Sequence, residues 1–471
     1  MMRVWKILNG KLSAMFLWFI YFFLLWVFLG CGDGTSSSES DLIRNESLST
    51  TDTDWQINTL LNLDSRGTVV PNVRAVQGSN GRIHIIYFSN AASVDGNLMY
   101  TLNYLIWIPE LELLLQQNPK PQSPLDEVEG LDNSNPASLV LDNQDTPIIA
   151  YQGGNIREMG EEEQSDVMIS LIEDVEWAEY TGAIGYLEHS SYNDGLAGTD
   201  LDLAVDSIGD IHLCFQFFYE GADADDQTYP DINYVQKSRL ALFEPTNADE
   251  WAVYEETIQG NDFQDSDGVQ NSVGYHCKIV LDSEEQPVVI YAEHTEDTNT
   301  YTLWAARKNS DHDWQREAID QFDAQWRVNA ISAAVSPLDY SIGVAYKLEY
   351  LGDDTNQGDH LRYVQQVDDV WDTPQIVDQN SWCGDFADIK YDFVGRPFIA
   401  YFDDRSHAGH ELGNLKIAWF DGAVWQNETV SDQGDVGYYN SMWFDDENRI
   451  NICSYSKSKD AIVIFNKSSD F

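Results

Sequence analysis

Positive charge is what this chain most lacks. Its 471 residues hold 26 Lys and Arg against 79 Asp and Glu, a formal net charge of −53. Three of those cations, Arg3, Lys6 and Lys11, stand near the amino terminus with no acid among them, so the remainder is more acidic still. A field of that sign repels phosphate backbones and anionic lipid surfaces, which excludes nucleic acid as a partner. It suits bound cations, a basic partner, or a salty habitat in which counterions screen self-repulsion. Cysteine is scarce too. Cys31, Cys214, Cys277, Cys383 and Cys453 form no CxxC pair and no Cys/His spacing of a zinc site. Setting Cys31 aside leaves an even number, whose pairing the sequence leaves open; Cys214 and Cys453 sit in apolar strand-like runs that favour buried free thiols. With 13 prolines and 31 glycines the composition is neither collagen-like nor of low complexity, and 43% hydrophobic residues suffice for a packed core. Gly-x-Ser-x-Gly and His-Glu-x-x-His are both missing, so neither motif points to a serine hydrolase or a zinc protease.

The long apolar run is at the amino terminus. Residues 12–30, LSAMFLWFIYFFLLWVFLG, follow the three cations and end at Cys31, after which the chain turns polar as GDGTSSSES. A basic segment, an apolar segment and a small residue before a break read as a secretory signal peptide. Phe28-Leu29-Gly30-Cys31 resembles the bacterial lipobox. That resemblance implies cleavage before Cys31 and a lipid on its thiol. The expected organisation is therefore a signal peptide over 1–30, a flexible Ser-rich tether over 31–53, and a folded part over 54–471. An uncleaved anchor is the alternative, since the apolar run is close to spanning length. Either way the folded part lies outside the cytoplasm, and Gly32 rather than Asp after the cysteine directs it to the outer membrane, facing the periplasm or the surface.

The folded part repeats. An apolar strand ending in Asp, a short polar turn, and an apolar strand ending in an aromatic recur as SLVLDNQDTPIIAY (138–151), DLAVDSIGDIHLCF (202–215), KIVLDSEEQPVVIY (278–291) and DIKYDFVGRPFIAY (388–401). Weaker copies begin at 74, 332 and 442. The closing aromatics are Tyr87, Tyr151, Phe215, Tyr291, Tyr346, Tyr401 and Tyr455, with spacings of 64, 64, 76, 55, 55 and 54. In five copies an Asp stands nine residues earlier: Asp142, Asp206, Asp282, Asp392 and Asp446. Each pair reads as a β-hairpin. A third strand follows, and a fourth begins near Trp107, Trp177, Trp251, Trp314, Trp371 or Trp425. Four antiparallel strands per unit mark a propeller blade, so the fold is expected to be all-β, a seven-bladed β-propeller. The seventh repeat stops after AIVIF (461–465) without its tryptophan strand, and DWQINTLL (54–61) with Trp55 supplies one at the other end. The head of the chain is thus expected to complete the last blade, leaving no unpaired sheet edge.

Loop lengths choose a working face. Turns between first and second strands are uniformly short. Long segments fall between second and third strands (152–166, 216–231, 347–360, 402–414) or ahead of the first (181–200, 259–275, 378–387), and all seven belong to one face of a propeller. The 237–250 connection, on the other side, is the exception. The long loops mix acids with aromatics: Asp223, Asp225, Asp226 and Tyr229; Asp262, Asp265 and Asp267; Trp382 with Asp385; Asp403 and Asp404; and Trp326 ahead of the fifth blade. Aromatic faces stack on sugar rings and carboxylates accept sugar hydroxyls, which would make a glycan site. Carboxylates alone would hold calcium, for which Asp262, Asp265 and Asp267 are the candidates against a solvated acidic loop. His407 and His410 beside Asp403 and Asp404 are candidates for a transition metal, though with weak spacing. His84 and His212 occupy a position filled elsewhere by Ile148, Val288 and Phe398, so they are expected to be packing residues.

The string DFVGRPFIAY, followed by LKIAWFDGAVW and DQGDVGYYNS, resembles blades of bacterial extracellular propellers loosely related to sialidase-like proteins. The resemblance spans about residues 54–471 and implies a fold without an activity. The sialidase Asp-box is not matched by Ser310-Asp311-His312-Asp313-Trp314, the early Arg-Ile-Pro motif is missing, and an acidic face repels an anionic sugar. Two functions stay open. One is a non-catalytic binding or scaffolding lipoprotein for a glycan or an envelope protein. The other is a carbohydrate-active enzyme with paired carboxylates at the mouth of the ring.

Overall fold

The computed structural model describes residues 54–63, 72–94, 97–117, 136–153, 166–173, 176–183, 195–219, 230–237, 255–259, 271–295, 298–310, 313–352, 357–379, 382–404, 413–433 and 435–467. The chain opens with β1 (Gln56–Asn62). Blade one is then β2 (Arg74–Gln77), β3 (Ile83–Val94), β4 (Asn97–Ile108) and β5 (Leu113–Gln117), with a 3-10 turn at Pro109–Leu111. Blade two is β6 (Ala137–Leu141), β7 (Pro147–Gly153), β8 (Asp166–Glu173) and β9 (Glu176–Ala183). Blade three is β10 (Gly195–Val205), β11 (Ile211–Tyr219), β12 (Pro230–Lys237) and β13 (Glu255–Gln259). Blade four is β14 (Asn271–Leu281), β15 (Pro287–Thr295), β16 (Thr300–Ser310) and β17 (Asp313–Phe322). Blade five is β18 (Trp326–Val335), β19 (Ile342–Tyr350), β20 (His360–Val367) and a fourth strand split into β21 (Val370–Trp371) and β22 (Gln375–Asp378). Blade six is β23 (Cys383–Tyr391), β24 (Pro397–Asp403), β25 (Asn414–Phe420) and β26 (Trp425–Ser431). Blade seven is β27 (Val436–Phe444), β28 (Ile450–Ser456), β29 (Ala461–Lys467) and then β1. The protein is an all-β, seven-bladed propeller.

The ends of the sheet system meet as the repeats predict. β1 runs antiparallel to β29, with Gln56 opposite Asn466 and Asn62 opposite Ala461. Its side chains join two neighbours at once. Trp55 is buried with Phe398, Leu415 and Ile417 of blade six, while Leu60 is buried with Ile83 and Ile85 of blade one. Fully burying one such side chain contributes about 1.5–3 kcal/mol.

The repeated Asp is a turn device. In blades two, three, four and six, Oδ1 of Asp142, Asp206, Asp282 and Asp392 accepts hydrogen bonds from the backbone N–H two and four residues on, at 2.8–3.1 Å. The residue three positions on adopts a left-handed backbone, for example Gly209 at φ 91 and Gly395 at φ 79, which glycine tolerates without strain. Blade seven corrects the sequence register by one residue. Asp445 makes this turn, accepting from Glu447 and Arg449, while Asp446 is exposed. Accordingly Ser454, not Tyr455, stands fully buried where the other blades close on an aromatic.

Blades lock to one another through the outer strands. Trp177, Trp314 and Trp425 each donate Nε1–H to a side chain on the preceding blade's fourth strand: Gln117 at 3.3 Å, Glu256 at 3.0 Å and Gln375 at 3.0 Å. Each indole also stands edge-on to a tyrosine of that preceding blade, Tyr104, Tyr234 and Tyr363, at 4.9–5.0 Å. Trp55 repeats the device on Glu428 at 2.7 Å. Trp107 departs from expectation: it lies in the third strand, β4. Trp371 is in the outer strand β21, and Trp251 falls outside the described residues. Closing tyrosines latch in the same direction, Tyr291 to Gln259 at 2.8 Å, Tyr346 to Asp320 at 2.5 Å and Tyr401 to Asp378 at 2.6 Å. Nδ1 of His84 hydrogen-bonds the Tyr104 hydroxyl, and Nδ1 of His212 that of Tyr234 at 2.7 Å; both imidazoles are buried packing groups. Cys214, Cys277, Cys383 and Cys453 are buried free thiols.

Candidate functional site

The inner strands do not run straight. β10, β14, β18, β23 and β27 slip register against their neighbours just before their polar centre. At the slip, His276, Ala330, Phe386 and Tyr439 adopt φ of 55, 49, 52 and 53. Gly437 precedes one of them at φ 121, where a Cβ would come within 3.0 Å of the Phe402 ring. Bulges of this kind re-aim side chains, here toward the propeller axis.

Four residues before each first-to-second-strand turn, every blade presents a polar side chain to that axis: Arg74, Ser138, Asp202, Lys278, Ser332, Asp388 and Ser441. Together they line a cavity of about 640 Å³. The following residue is apolar in all seven blades and packs against the blade cores, as Leu203, Ile279, Ile389 and Met442 do. The polar ring is also a belt. Ser138 donates to Asp202 Oδ1 at 2.8 Å, and Asp202 Oδ2 accepts from Ile279 N–H at 3.2 Å. The Ser332 hydroxyl accepts from Ile389 N–H at 3.1 Å and donates to Asp388 Oδ1 at 3.3 Å. Asp388 Oδ2 accepts from Met442 N–H at 2.6 Å, and the Ser441 hydroxyl from Ala75 N–H at 3.0 Å. Lys278 stands 3.9 Å from Asp202, and Lys390 2.8 Å from Asp388.

Above the ring the wall turns aromatic. Phe386 and Tyr439 pack at 4.6 Å, and Asn329, His276 and Asn440 share the lining. Asn440 is 4% exposed; its amide nitrogen donates to Gly437 and Phe386 carbonyls, and its Oδ1 accepts nothing among the described residues. Below the ring, Val76, Val140 and Ala204 form an apolar floor. Burial weakens the protonated forms of Arg74 and His276; Asp388 and Asp202 oppose this at the first, Asp200 at the second.

Of the described loop candidates, four come together and one stands apart. Trp382, Asp385, Asp403 and Asp404 come together at the start of blade six, where Cys383 pairs with Asp403 and Asp404 N–H donates to the Trp382 carbonyl at 2.9 Å. Trp326 stands apart, opening blade five, packed on Tyr350 at 4.9 Å and His360 at 5.0 Å. The carboxylates face cations. Lys347 Nζ reaches Asp385 at 2.7 Å and Asp359 at 2.8 Å, and Lys416 Nζ reaches Asp378 at 2.6 Å and Asp403 at 3.8 Å. Burial raises the Asp385 carboxyl, with Lys347 pulling the other way. Burial alone would strip the proton from Lys347, yet Asp385 and Asp359 hold its ammonium above the ordinary lysine range. Asp223, Asp225, Asp226, Tyr229, Asp262, Asp265, Asp267, His407, His410 and Cys31 lie outside the described residues. Among the described residues no group of three His, Cys, Asp or Glu side chains is placed to hold a metal.

Loop reasoning missed the axial ring. Its signal was present as a position that is polar in all seven repeats, four residues ahead of the turn, but repeats were aligned on what they share in identity rather than in polarity.

No family profile matches the sequence, and no curated protein matches it. Solved structures do share the fold. The polysaccharide lyase Uly1 overlays with a TM-score of 0.51 at 8% identity, over 84% of this chain and 90% of that one. An ulvan lyase of family PL25, bound to -[GlcA(1-4)Rha3S]-, overlays with a TM-score of 0.53 at 10% identity, over 83% and 92%. The Hadza microbial sialidase Hz136 overlays more loosely, with a TM-score of 0.43 at 13% identity, over 80% and 74%. At such identities the likeness to the two lyases is one of architecture alone.

Proposed function

We propose that this protein is an envelope lipoprotein, anchored by a lipid on Cys31 at the outer membrane, whose propeller binds a glycan in and above the axial cavity without cleaving it. The observation that carries the reading is the ring of seven polar side chains beneath an aromatic rim. Arg, Lys, Ser and Asp alternate donors and acceptors around one axis, which suits a polyhydroxylated ligand, and Phe386 and Tyr439 offer faces for sugar rings. The ion pairs of Lys347 with Asp359 and Asp385, and of Lys416 with Asp378, are buried in the seam between blades five and six and support a rigid binding scaffold. Asp262, Asp265 and Asp267 add a calcium site in the proposal, and an envelope protein remains the other class of partner.

A second reading has one observation behind it. Asp385 is raised by burial, as a general acid is, which would suit a carbohydrate-active enzyme. The test is a screen of the full chain against polysaccharides, with and without chelator, followed by mass analysis of the retained glycan. Binding that weakens about tenfold in Lys278→Met, with the glycan recovered intact, supports the first reading. Shortened products support the second. Retention of an envelope protein and no glycan keeps the non-catalytic module and moves its partner from glycan to protein, and retention of neither overturns both.

A further inference from the structure

Two of the four buried thiols belong together. Cys214 lies on β11 directly opposite Asp202 of β10. Lateral neighbours in an antiparallel pair share one face of the sheet. That face packs on blade four, since Cys214 shares an apolar cluster with Ile279 and Val289 of that blade. From the other side, Cys277 of β14 is held by the same seam: Asp200 Oδ2 accepts from His276 N–H at 3.2 Å, and the Cys277 thiol donates to the Asp200 carbonyl at 3.6 Å. Both cysteines are 0% exposed and sit in one apolar cluster with Ile232, Tyr234 and Val289. Burial, and then the Cys214 thiol beside it in that cluster, push the Cys277 thiol well up. Cys383 and Cys453 differ. Each lies in a cluster that holds no second cysteine, Cys383 in one and Cys453 in another.

We propose that Cys214 and Cys277 are a disulfide site joining blades three and four. The two thiols give up two protons and two electrons, one S–S bond forms, and a disulfide oxidant such as oxidised glutathione is reduced to two thiols. In the cell this rests on the export reading above, because a reducing cytosol would keep the pair apart. The thiolate is the reacting species, and burial suppresses it. The bond therefore forms while the blades dock rather than after the ring has closed.

The experiment has two arms. Full chain unfolded under reducing conditions is refolded in a glutathione redox buffer, alkylated in denaturant and digested; a second sample is taken from an exporting bacterial host. The expected result in the first arm is one cross-linked peptide pair containing Cys214 and Cys277, lighter by two hydrogens, with Cys383 and Cys453 alkylated. Adding reductant should lower the melting temperature by about 5 °C. Cys214→Ala should erase that reductant sensitivity, as should Cys277→Ala if the first variant folds poorly. Cys214 and Cys277 both alkylated in the refolded arm, or a pair that joins either of them to Cys31, Cys383 or Cys453, overturns the proposal. A bond in the refolded arm with free thiols in the exported arm leaves the pairing standing and contradicts the export reading instead.

Discussion

The turn side of the propeller and its axis obey different rules. At the first-to-second-strand turns, five blades repeat one solution: an Asp carboxylate takes two backbone N–H groups, and a left-handed residue follows. At the axis, the same seven blades present Arg, Ser, Asp, Lys, Ser, Asp and Ser at an equivalent position. Where the blades face one physical problem, closing a tight hairpin, five of them converge on one residue. Where the ring forms an asymmetric cavity, the blades contribute four residue types. Repetition marks scaffold, and patterned variation at a shared position marks the surface proposed above to meet the ligand.

That contrast can be broken at its scaffold end first. Removing residues 54–63 deletes β1, uncovers β29 and strips Trp55 and Leu60 from two blade cores. The expected outcome is loss of the folded monomer by size-exclusion and circular dichroism, with association through the new edge. Next in size, Asp378→Ala leaves the Lys416 ammonium and the Tyr401 hydroxyl without their buried acceptor, and denaturant unfolding should show a loss of about 3–5 kcal/mol.

Acid should act through His84. Burial lowers its imidazole from 6.5 to about 4, so the folded chain holds it neutral while the unfolded chain protonates it sooner. The unfolded state thus binds the extra proton, and the contribution of the neutral group is complete above about pH 6.5 and lost as pH falls toward 4. Between pH 7 and 5 this amounts to about 2 kcal/mol in urea titrations, and His84→Gln should remove that slope.

The sharpest small effect separates neighbours in blade seven. Asp445→Ala should cost about 1–3 kcal/mol by leaving two turn N–H groups without their acceptor. Asp446→Ala, one residue away and exposed, should stay within about 0.5 kcal/mol. Equal effects would mean the turn is not fixed by its carboxylate.

Much of this fold was legible because a blade cannot bury its faces alone. That need imprints closing aromatics, turn aspartates and docking tryptophans on most of the repeats, and it makes the exchange of β1 visible in the two incomplete ends. The misreadings have local causes. In blade seven Asp446 stands nine residues before an aromatic, Tyr455, yet hydrogen bonding selects its neighbour Asp445. Trp107 was placed by spacing, but β4 is long enough to reach it. The site was harder to read. Trp382, Asp385, Asp403 and Asp404 do converge at the start of blade six, yet two of those carboxylates point at Lys347 and Lys416, cations outside the acidic loop pattern. The axial ring was hidden because its members share no residue type, only polarity and place.

The most direct test is a crystal structure of the protein with the glycan retained in the polysaccharide screen. The predicted result is sugar density in the axial cavity, with ring hydroxyls hydrogen-bonded to Asp202, Lys278 or Asp388 and a sugar face on Phe386 or Tyr439. Density confined to the outer strands or to the short-turn side, with the cavity holding only water, would contradict the assignment of the axis as the binding surface.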